Sequence, residues 1–421
     1  MERQYLCIDL KSFYASVECA ERGLDPMKTN LVVADPERNE GTICLAVSPA
    51  MKALGVKNRC RVFEIPKNIE YIKAVPRMKL YIDYSAEIYG IYLKYISSDD
   101  IHIYSIDEAF LDVTHYLSLY KMTARQLGDK IRADILDTVG ITAACGIGTN
   151  LYLAKVALDI TAKHSKTFCS ELDEEKYKTE LWDHTPLTDF WRIGPGIAKR
   201  LNSIGVFTMR DIAKCPERYL YKLFGVDAEI LIDHANGREP TTIADIKAYK
   251  SKNHCITSGQ VLPRDYSFEE CHIIVKEMAD LLSLELFDRG LQTASVTLSV
   301  GYTRKSSLPH SGGTQRLAAP SNSQREIVAA VSRLYLSITD KNTPVRRVNL
   351  CFNNVEEEGF SQLDFFTDYE EIEQERNRLK AINEIRKKYG KNAILKGMNL
   401  QEAATTRERN RQIGGHKSGE S

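Results

Sequence analysis

Short apolar runs alternate with stretches of helical spacing from the start of the chain. Tyr5–Leu10 is an apolar run of strand length, Phe13–Arg22 carries apolar residues at helical intervals, and Leu31–Ala34 and Ile43–Val47 return to the strand pattern. Two further strand-like runs, Ile101–Ile106 and Ala109–Val113, flank an acidic corner. The spacing predicts a helix over Ala124–Thr138, a strand over Ile141–Ile147 and a helix from Leu151, with Thr149 as its cap. Strands interleaved with helices around one tight hairpin describe an α+β domain with helices on one face of its sheet.

Residues 166–240 are dominated by helical spacing and punctuated by Gly194, Gly196, Gly205, Gly225 and Gly237. The polar, lysine-bearing stretch 241–253 suits a linker. A second α+β pattern follows: strand Cys255–Leu262, helix Phe268–Arg289, strand Ala294–Tyr302, a short strand near Thr314–Ala318, helix Ser323–Ser337 and strand Arg346–Phe352. This βαββαβ order closes naturally as a four-stranded sheet carrying two helices. Beyond Asn354 the chain turns acidic. A helical pattern over Ile372–Tyr389 could pack on the body or on an accessory protein, and disorder is expected from about Thr405.

A length of 421 residues exceeds one compact core and calls for several domains. No run of about 18 apolar residues suggests a membrane span. The start of the chain lacks the basic, then long apolar pattern of a signal peptide, so a cytoplasmic location is expected. The ten cysteines fall mostly singly in apolar stretches, without zinc-site spacing, which suits reduced, buried thiols. Lysine plus arginine equals aspartate plus glutamate, 57 against 57, so any nucleic-acid contact must be argued from local patterns.

Asp107 and Glu108 sit between two apolar strands, and Asp9 closes a third. Taken alone, the pair reads equally as an acidic hairpin turn. Adjacent strand residues face opposite sides, so both acids serve one site only if the backbone turns there. A carboxylate at the end of a buried strand needs a cation or a donor, and three hard oxygen donors suit Mg²⁺.

The segments CIDLKSFYASVE (7–18) and YSIDEAFLDVT (104–114) resemble, in order and separation, the two palm motifs of Y-family DNA polymerases. The likeness runs from about residue 3 to residue 366 and is nearest the bacterial UmuC/UvrX-like branch. It implies a right-hand polymerase fold. Residues 1–34 and 76–165 would form a ferredoxin-like palm, 35–75 small fingers, 166–240 a helical thumb with a helix-hairpin-helix, 254–355 a little finger and 356–421 a tail. It further implies two Mg²⁺ ions held by Asp9, Asp107, Glu108 and the Leu10 carbonyl. Such ions, about 4 Å apart, activate a primer hydroxyl and stabilise departing pyrophosphate. Tyr14 would be the steric gate against a ribose 2′-OH; of the neighbouring rings Phe13 and Tyr14 one belongs to the core, and Phe13 is the better candidate.

The family often holds the triphosphate with Tyr-x-x-Arg in the fingers. Here the segment is Pro49-Ala50-Met51-Lys52; lysine keeps the charge without the guanidinium fork, and the tyrosine contact is absent. Within CGIGTNLYLAKVALDITAKH (145–164), Lys163 is the better triphosphate ligand, while Lys155 reads equally as a solvated lysine.

Arg192 to Leu201 resembles a helix-hairpin-helix, in which the backbone at Gly194 and Gly196 and the charges of Lys199 and Arg200 meet phosphate without reading bases. Arg304, Lys305, Arg346 and Arg347 flank the little-finger strands as phosphate contacts. Gln362, Leu363, Asp364, Phe365 and Phe366 resemble the peptide by which bacterial polymerases dock on the sliding clamp. The implied activity is template-directed, error-prone translesion synthesis from dNTPs on primer-template DNA, in damage tolerance and repair, with accessory SOS proteins as possible partners and no membrane. The rivals are a catalytically inactive scaffold, which loss of a metal carboxylate would mark, and a nucleotidyl cyclase, which needs neither template nor clamp.

Overall fold

The apolar runs form strands and helices close to where their spacing places them, and long-range pairing sorts them into two units. A computed structural model describes residues 3–251, 254–359 and 369–419. One unit holds the chain to Tyr249 and takes back the residues from Lys417; the other is Lys250–His416.

The first unit runs β1 (Tyr5–Leu10), α1 (Phe13–Ala20), β2 (Leu31–Val33), β3 (Ala46–Val47), α2 (Pro49–Ala53), β4 (Ile72–Ala74), α3 (Met78–Leu93), β5 (Ile101–Ile103) and β6 (Glu108–Asp112). It continues with α4 (Tyr116–Tyr120), α5 (Ala124–Val139), β7 (Ala143–Gly148), α6 (Leu151–Val156) and β8 (Cys169–Leu172). The main sheet has the order β5-β6-β1-β7-β8. Its central strand β1 is antiparallel to both neighbours and buried at nearly every position, which is why Tyr5–Leu10 reads as continuously apolar. A small lobe carries the sheet β3-β2-β4 over its own core of Val32, Cys44, Val47, Met51 and Val62.

Helix α6 lies directly on β7. A Cβ at Gly146 would stand 2.1 Å from the Ala154 carbonyl oxygen, and one at Gly148 2.2 Å from the Ala154 nitrogen, so the two glycines of CGIG are what permits this approach. Asn150, one residue beyond the expected Thr149, caps the helix by accepting from the Leu153 N–H at 2.8 Å.

After β8 come the helices α7 (Glu174–Lys176), α8 (Pro195–Asn202), α9 (Met209–Lys214), α10 (Glu217–Phe224) and α11 (Ala228–Ala235), around a core that includes Leu201, Met209, Leu220 and Leu231. The stretch expected to be a linker departs from that reading. Thr242 caps α12 (Ile243–Ala248), and Ile243 is buried among Tyr5, Cys7 and Phe110, so an apolar anchor binds these residues to the main sheet.

The second unit holds β9 (Ile256–Tyr266), α13 (Phe268–Asp288), β10 (Leu291–Tyr302), β11 (Ser311–Ser321), α14 (Gln324–Ile338) and β12 (Val345–Glu357). They form the βαββαβ unit, with an antiparallel sheet of order β11-β10-β12-β9. Helix α15 (Tyr369–Tyr389) packs on this unit, with Leu379 only 1% exposed. The disorder expected from Thr405 does not hold for the described residues. Thr405 and Thr406 are buried, α16 (Thr406–Arg409) follows, and the buried Glu277 carboxylate accepts from Asn399 Nδ2 at 2.7 Å and from the Thr405 N–H at 2.8 Å. A carboxylate buried on α13 requires donors, and this polar tail supplies them.

Candidate active site

The acidic corner turns as two converging acids require. β5 stops at Ile103, the Tyr104 and Ser105 N–H groups both donate to the Glu108 carbonyl, and Glu108 opens β6. Register then places Glu108 directly opposite Asp9, while the Leu10 N–H donates to the Asp107 carbonyl at 2.9 Å. Residues about a hundred positions apart thus meet at the end of β1. Ser12, between β1 and α1, sits at φ 50°, a left-handed conformation that a non-glycine residue adopts only when its surroundings impose it.

Two lysines and a fourth acid, Asp159, complete the cluster. Lys155 Nζ lies 2.6 Å from Glu108 Oε1 and 2.9 Å from Asp159 Oδ2; Lys163 Nζ lies 3.0 Å from Asp9 Oδ2 and 2.8 Å from Asp159 Oδ1. The Cys7 thiol also donates to Glu108 Oε1 at 3.2 Å. Lys155, Asp159 and Lys163 stand four residues apart along one helical stretch, within which Ala157–Thr161 is π-helical, the kind of local widening often found at functional sites. Asp159 escaped the sequence reading, although its place four residues from each lysine was a usable signal.

Burial raises the Asp9 carboxyl to about 6, Lys163 pulls it back, and the neighbouring charges of Asp107 and Glu108 add to the rise. Burial works against the Lys163 ammonium, yet Asp9 and Asp159 outweigh it and hold its pKa at about 12. Lys155 is likewise raised in spite of burial, through Cys7, Glu108 and Asp159. Lys52 is lowered, first by burial and then by repulsion from Lys163, with Asp9 and Asp107 acting against it; Lys52 of the small lobe therefore feels the acids of the main sheet. Lys11, which the sequence reading passed over, belongs to the same field and lies over the Phe168 ring at 3.4 Å.

Among the described residues no group of three or more His, Cys, Asp or Glu side chains closes around a metal position. The donor chemistry nevertheless fits a hard cation: the donors are oxygens, and Asp9 is a desolvated carboxylate whose present partner is an amine. Phe13 is buried with the core, whereas Tyr14 is half-buried, its ring centroid 4.7 Å from that of Tyr81 and its hydroxyl under the influence of the Asp107 charge.

Gly194, Gly196, Lys199 and Arg200 belong to the helical part of the first unit, and Arg304, Lys305, Arg346 and Arg347 to the second unit. Gly194 caps α8, Pro195 holds its first position, and nothing stands within 4 Å of a Cβ built at Gly194 or Gly196, leaving their backbone open. Lys199 is exposed; the Arg200 guanidinium donates to the Leu223 carbonyl at 3.1 Å. Arg304 and Lys305 follow β10, Arg346 and Arg347 open β12, and the pairing of Tyr302 with Val345 brings all four to one end of the second sheet. Arg346 lies 3.7 Å from Asp265, whereas Arg347 is exposed. Residues 362–366 fall outside the described residues.

Two family models match the chain: the impB/mucB/samB family over residues 8–159 and the C-terminal domain of that family over residues 254–365. The UvrX chain of Bacillus subtilis (strain 168), named for UV-damage repair, is 31% identical over 99% of this chain and 98% of its own length. The chain belongs to the impB/mucB/samB family, the Y-family DNA polymerases. This polymerase is also 31% identical to DNA polymerase IV 2 of the same organism, with 99% of each chain covered. It shares its fold with a Y-family DNA polymerase chimera of Dbh and Dpo4 (TM-score 0.65, 21% identity, covering 84% of this chain and 99% of that one). Among the described residues no helix is long and apolar enough to cross a membrane.

Proposed function

We propose that this Y-family DNA polymerase carries out error-prone translesion synthesis with the Asp9, Asp107 and Glu108 cluster as its catalytic centre. The observation that carries this reading is the convergence of three carboxylates with the buried Lys155 and the half-buried Lys163 at the end of β1. Asp9, the Leu10 carbonyl, Asp107 and Glu108 would hold two Mg²⁺ ions, which when bound supply activation of the primer hydroxyl and charge stabilisation of the leaving pyrophosphate.

The chain's own residues do the rest. Lys163, Lys155 and Lys52 offer ammonium groups to triphosphate oxygens, and lysine serves there as a point charge. In the free chain Lys155 and Lys163 neutralise the acids, so the cluster stays folded without an uncompensated buried charge. The half-buried Tyr14 ring is the group placed to exclude a ribose 2′-OH. Gly194 and Gly196 present open backbone to the DNA phosphates beside Lys199 and Arg200, with Arg304, Lys305 and Arg347 as further phosphate contacts. The small lobe, with α2 as its α-helix, is a slight lid over the nucleotide, which agrees with tolerance of damaged templates. Recruitment to the sliding clamp is assigned to Gln362, Leu363, Asp364, Phe365 and Phe366.

Primer extension on undamaged and damaged templates tests the reading. Asp107→Ala and Glu108→Gln should each lower incorporation by about a thousand-fold or more while primer-template affinity changes little. Near-normal incorporation by either variant would remove the cluster as the catalytic centre.

A further inference from the structure

The chain enters the small lobe through β2 and leaves it through β4, and these are parallel neighbours, with Val33 opposite Ala74. The residues that follow the two strands meet a third piece of chain. Lys417 Nζ lies 3.4 Å from Asp35 Oδ1 and 2.6 Å from Glu37 Oε2, beyond β2. The Lys79 N–H, in the first turn of α3 beyond β4, donates to the Ser418 carbonyl at 2.9 Å. Arg77, the N-cap of α3, makes no side-chain capping bond, so Ser418 satisfies a helix N–H that would otherwise lack an intrahelical partner. Gly419 follows at φ +85°, and a Cβ there would stand 2.8 Å from Arg77 Cβ. Close approach and backbone conformation both call for glycine at this position.

What these residues touch leads to the nucleotide-facing groups. Arg77 donates through Nε and Nη2 to the two Glu18 oxygens, each at 2.9 Å, and the Tyr81 hydroxyl donates to Glu18 Oε1 at 2.8 Å. Glu18 lies on α1 with Tyr14, and the Tyr81 ring packs on the Tyr14 ring. On the other side, Asp35 and Glu37 belong to the lobe that carries Lys52. Lys417–Gly419 lies outside both segments matched by the family models.

We propose that Lys417–Gly419 is a strap joining the small lobe to the start of α3, a set of positioning residues that fixes Lys52 and Tyr14 for the incoming nucleotide. This rests on the reading of those two residues as nucleotide-facing. None of these contacts of the strap is with an acid or lysine of the catalytic cluster, so loss of the strap acts on nucleotide binding rather than on the chemical step.

The test compares the unaltered chain with a chain stopped after His416, with Lys417→Glu, and with the charge-swapped pair Lys417→Glu/Glu37→Lys. Single-nucleotide incorporation should show the KM for dNTP raised about five-fold by truncation and by Lys417→Glu, with kcat and primer-template Kd within about two-fold, and with KM recovering in the swapped pair. Hydrogen exchange without DNA or nucleotide should quicken in the truncated chain at residues 35–38 and 77–81. An unchanged KM in the truncated chain, or a parallel fall in kcat and DNA affinity, overturns the strap. Absence of any template-directed extension by the unaltered chain would instead remove the polymerase reading on which the strap depends.

Discussion

Tyr14 and Phe13 are neighbours of similar chemistry, and their environments separate them. Phe13 is 2% exposed, whereas Tyr14 keeps an accessible side and leans on Tyr81. Tyr14→Ala removes no fully buried ring, so stability should change little. Ribonucleotide incorporation should rise by a large factor in single-nucleotide assays that compare rNTP with dNTP. Unchanged discrimination would make Tyr14 a packing residue. Apolar spacing along α1 shows that a ring faces the core, but it does not show how much space lies beyond the other. The lysines carry the same lesson. Lys155 reads from sequence equally as a solvated side chain, yet it is 6% exposed and bound between two acids, because the glycines of β7 let its helix sink onto the sheet.

At the scale of elements, two helical pieces rest on single side chains whose roles can be measured. Glu239, just past α11, accepts from the Thr241 N–H at 2.9 Å and lies 3.0 Å from His234 Nε2. Burial opposes its ionisation, but His234 and Thr241 outweigh that and hold the carboxyl at about 2. A folded-state pKa below the unfolded value near 4.3 means that the contribution is complete above that value and is lost as pH falls toward about 2. Urea midpoints should therefore drop between pH 5 and pH 3 by more in the unaltered chain than in Glu239→Gln. Equal pH dependence would show that the pairing adds nothing. Helix α15 is the second case. Its sequence leaves open whether it packs on the body or on a partner, and in the structure Leu379 is buried while Arg376 and Lys387 reach Glu358 and Asp288. Leu379→Ala should lower the stability of the second unit by about 2–5 kcal/mol in urea denaturation. A change below 0.5 kcal/mol would mean that the helix docks loosely.

For the whole molecule, the proposed function assigns recruitment and catalysis to different segments. A slight lid suggests dissociation after few additions, and a clamp tether raises the effective concentration at the primer end without altering the catalytic centre. Replacing Leu363, Phe365 and Phe366 with alanine should leave distributive extension unchanged and abolish stimulation by loaded clamp. Equal loss with and without clamp would place those side chains against the protein's own body.

Local rules along the chain determine most of its elements. A continuous apolar run places β1 and period-3.6 spacing places α5, α13 and α14, and the two acidic motifs mark the ends of the strands that meet. The turn at Asp107 was a stated requirement of that reading and is present. Tertiary structure alone decided what depends on partners far along the chain: the register that sets Asp9 opposite Glu108, the burial of Ile243 that makes a helix of an expected linker, and the ordering of residues near Thr405. Such polar segments have the composition of disorder because what orders them lies elsewhere. Glu277 sits 128 residues before Thr405, and the free energy of giving a buried carboxylate its donors belongs to no local window of sequence.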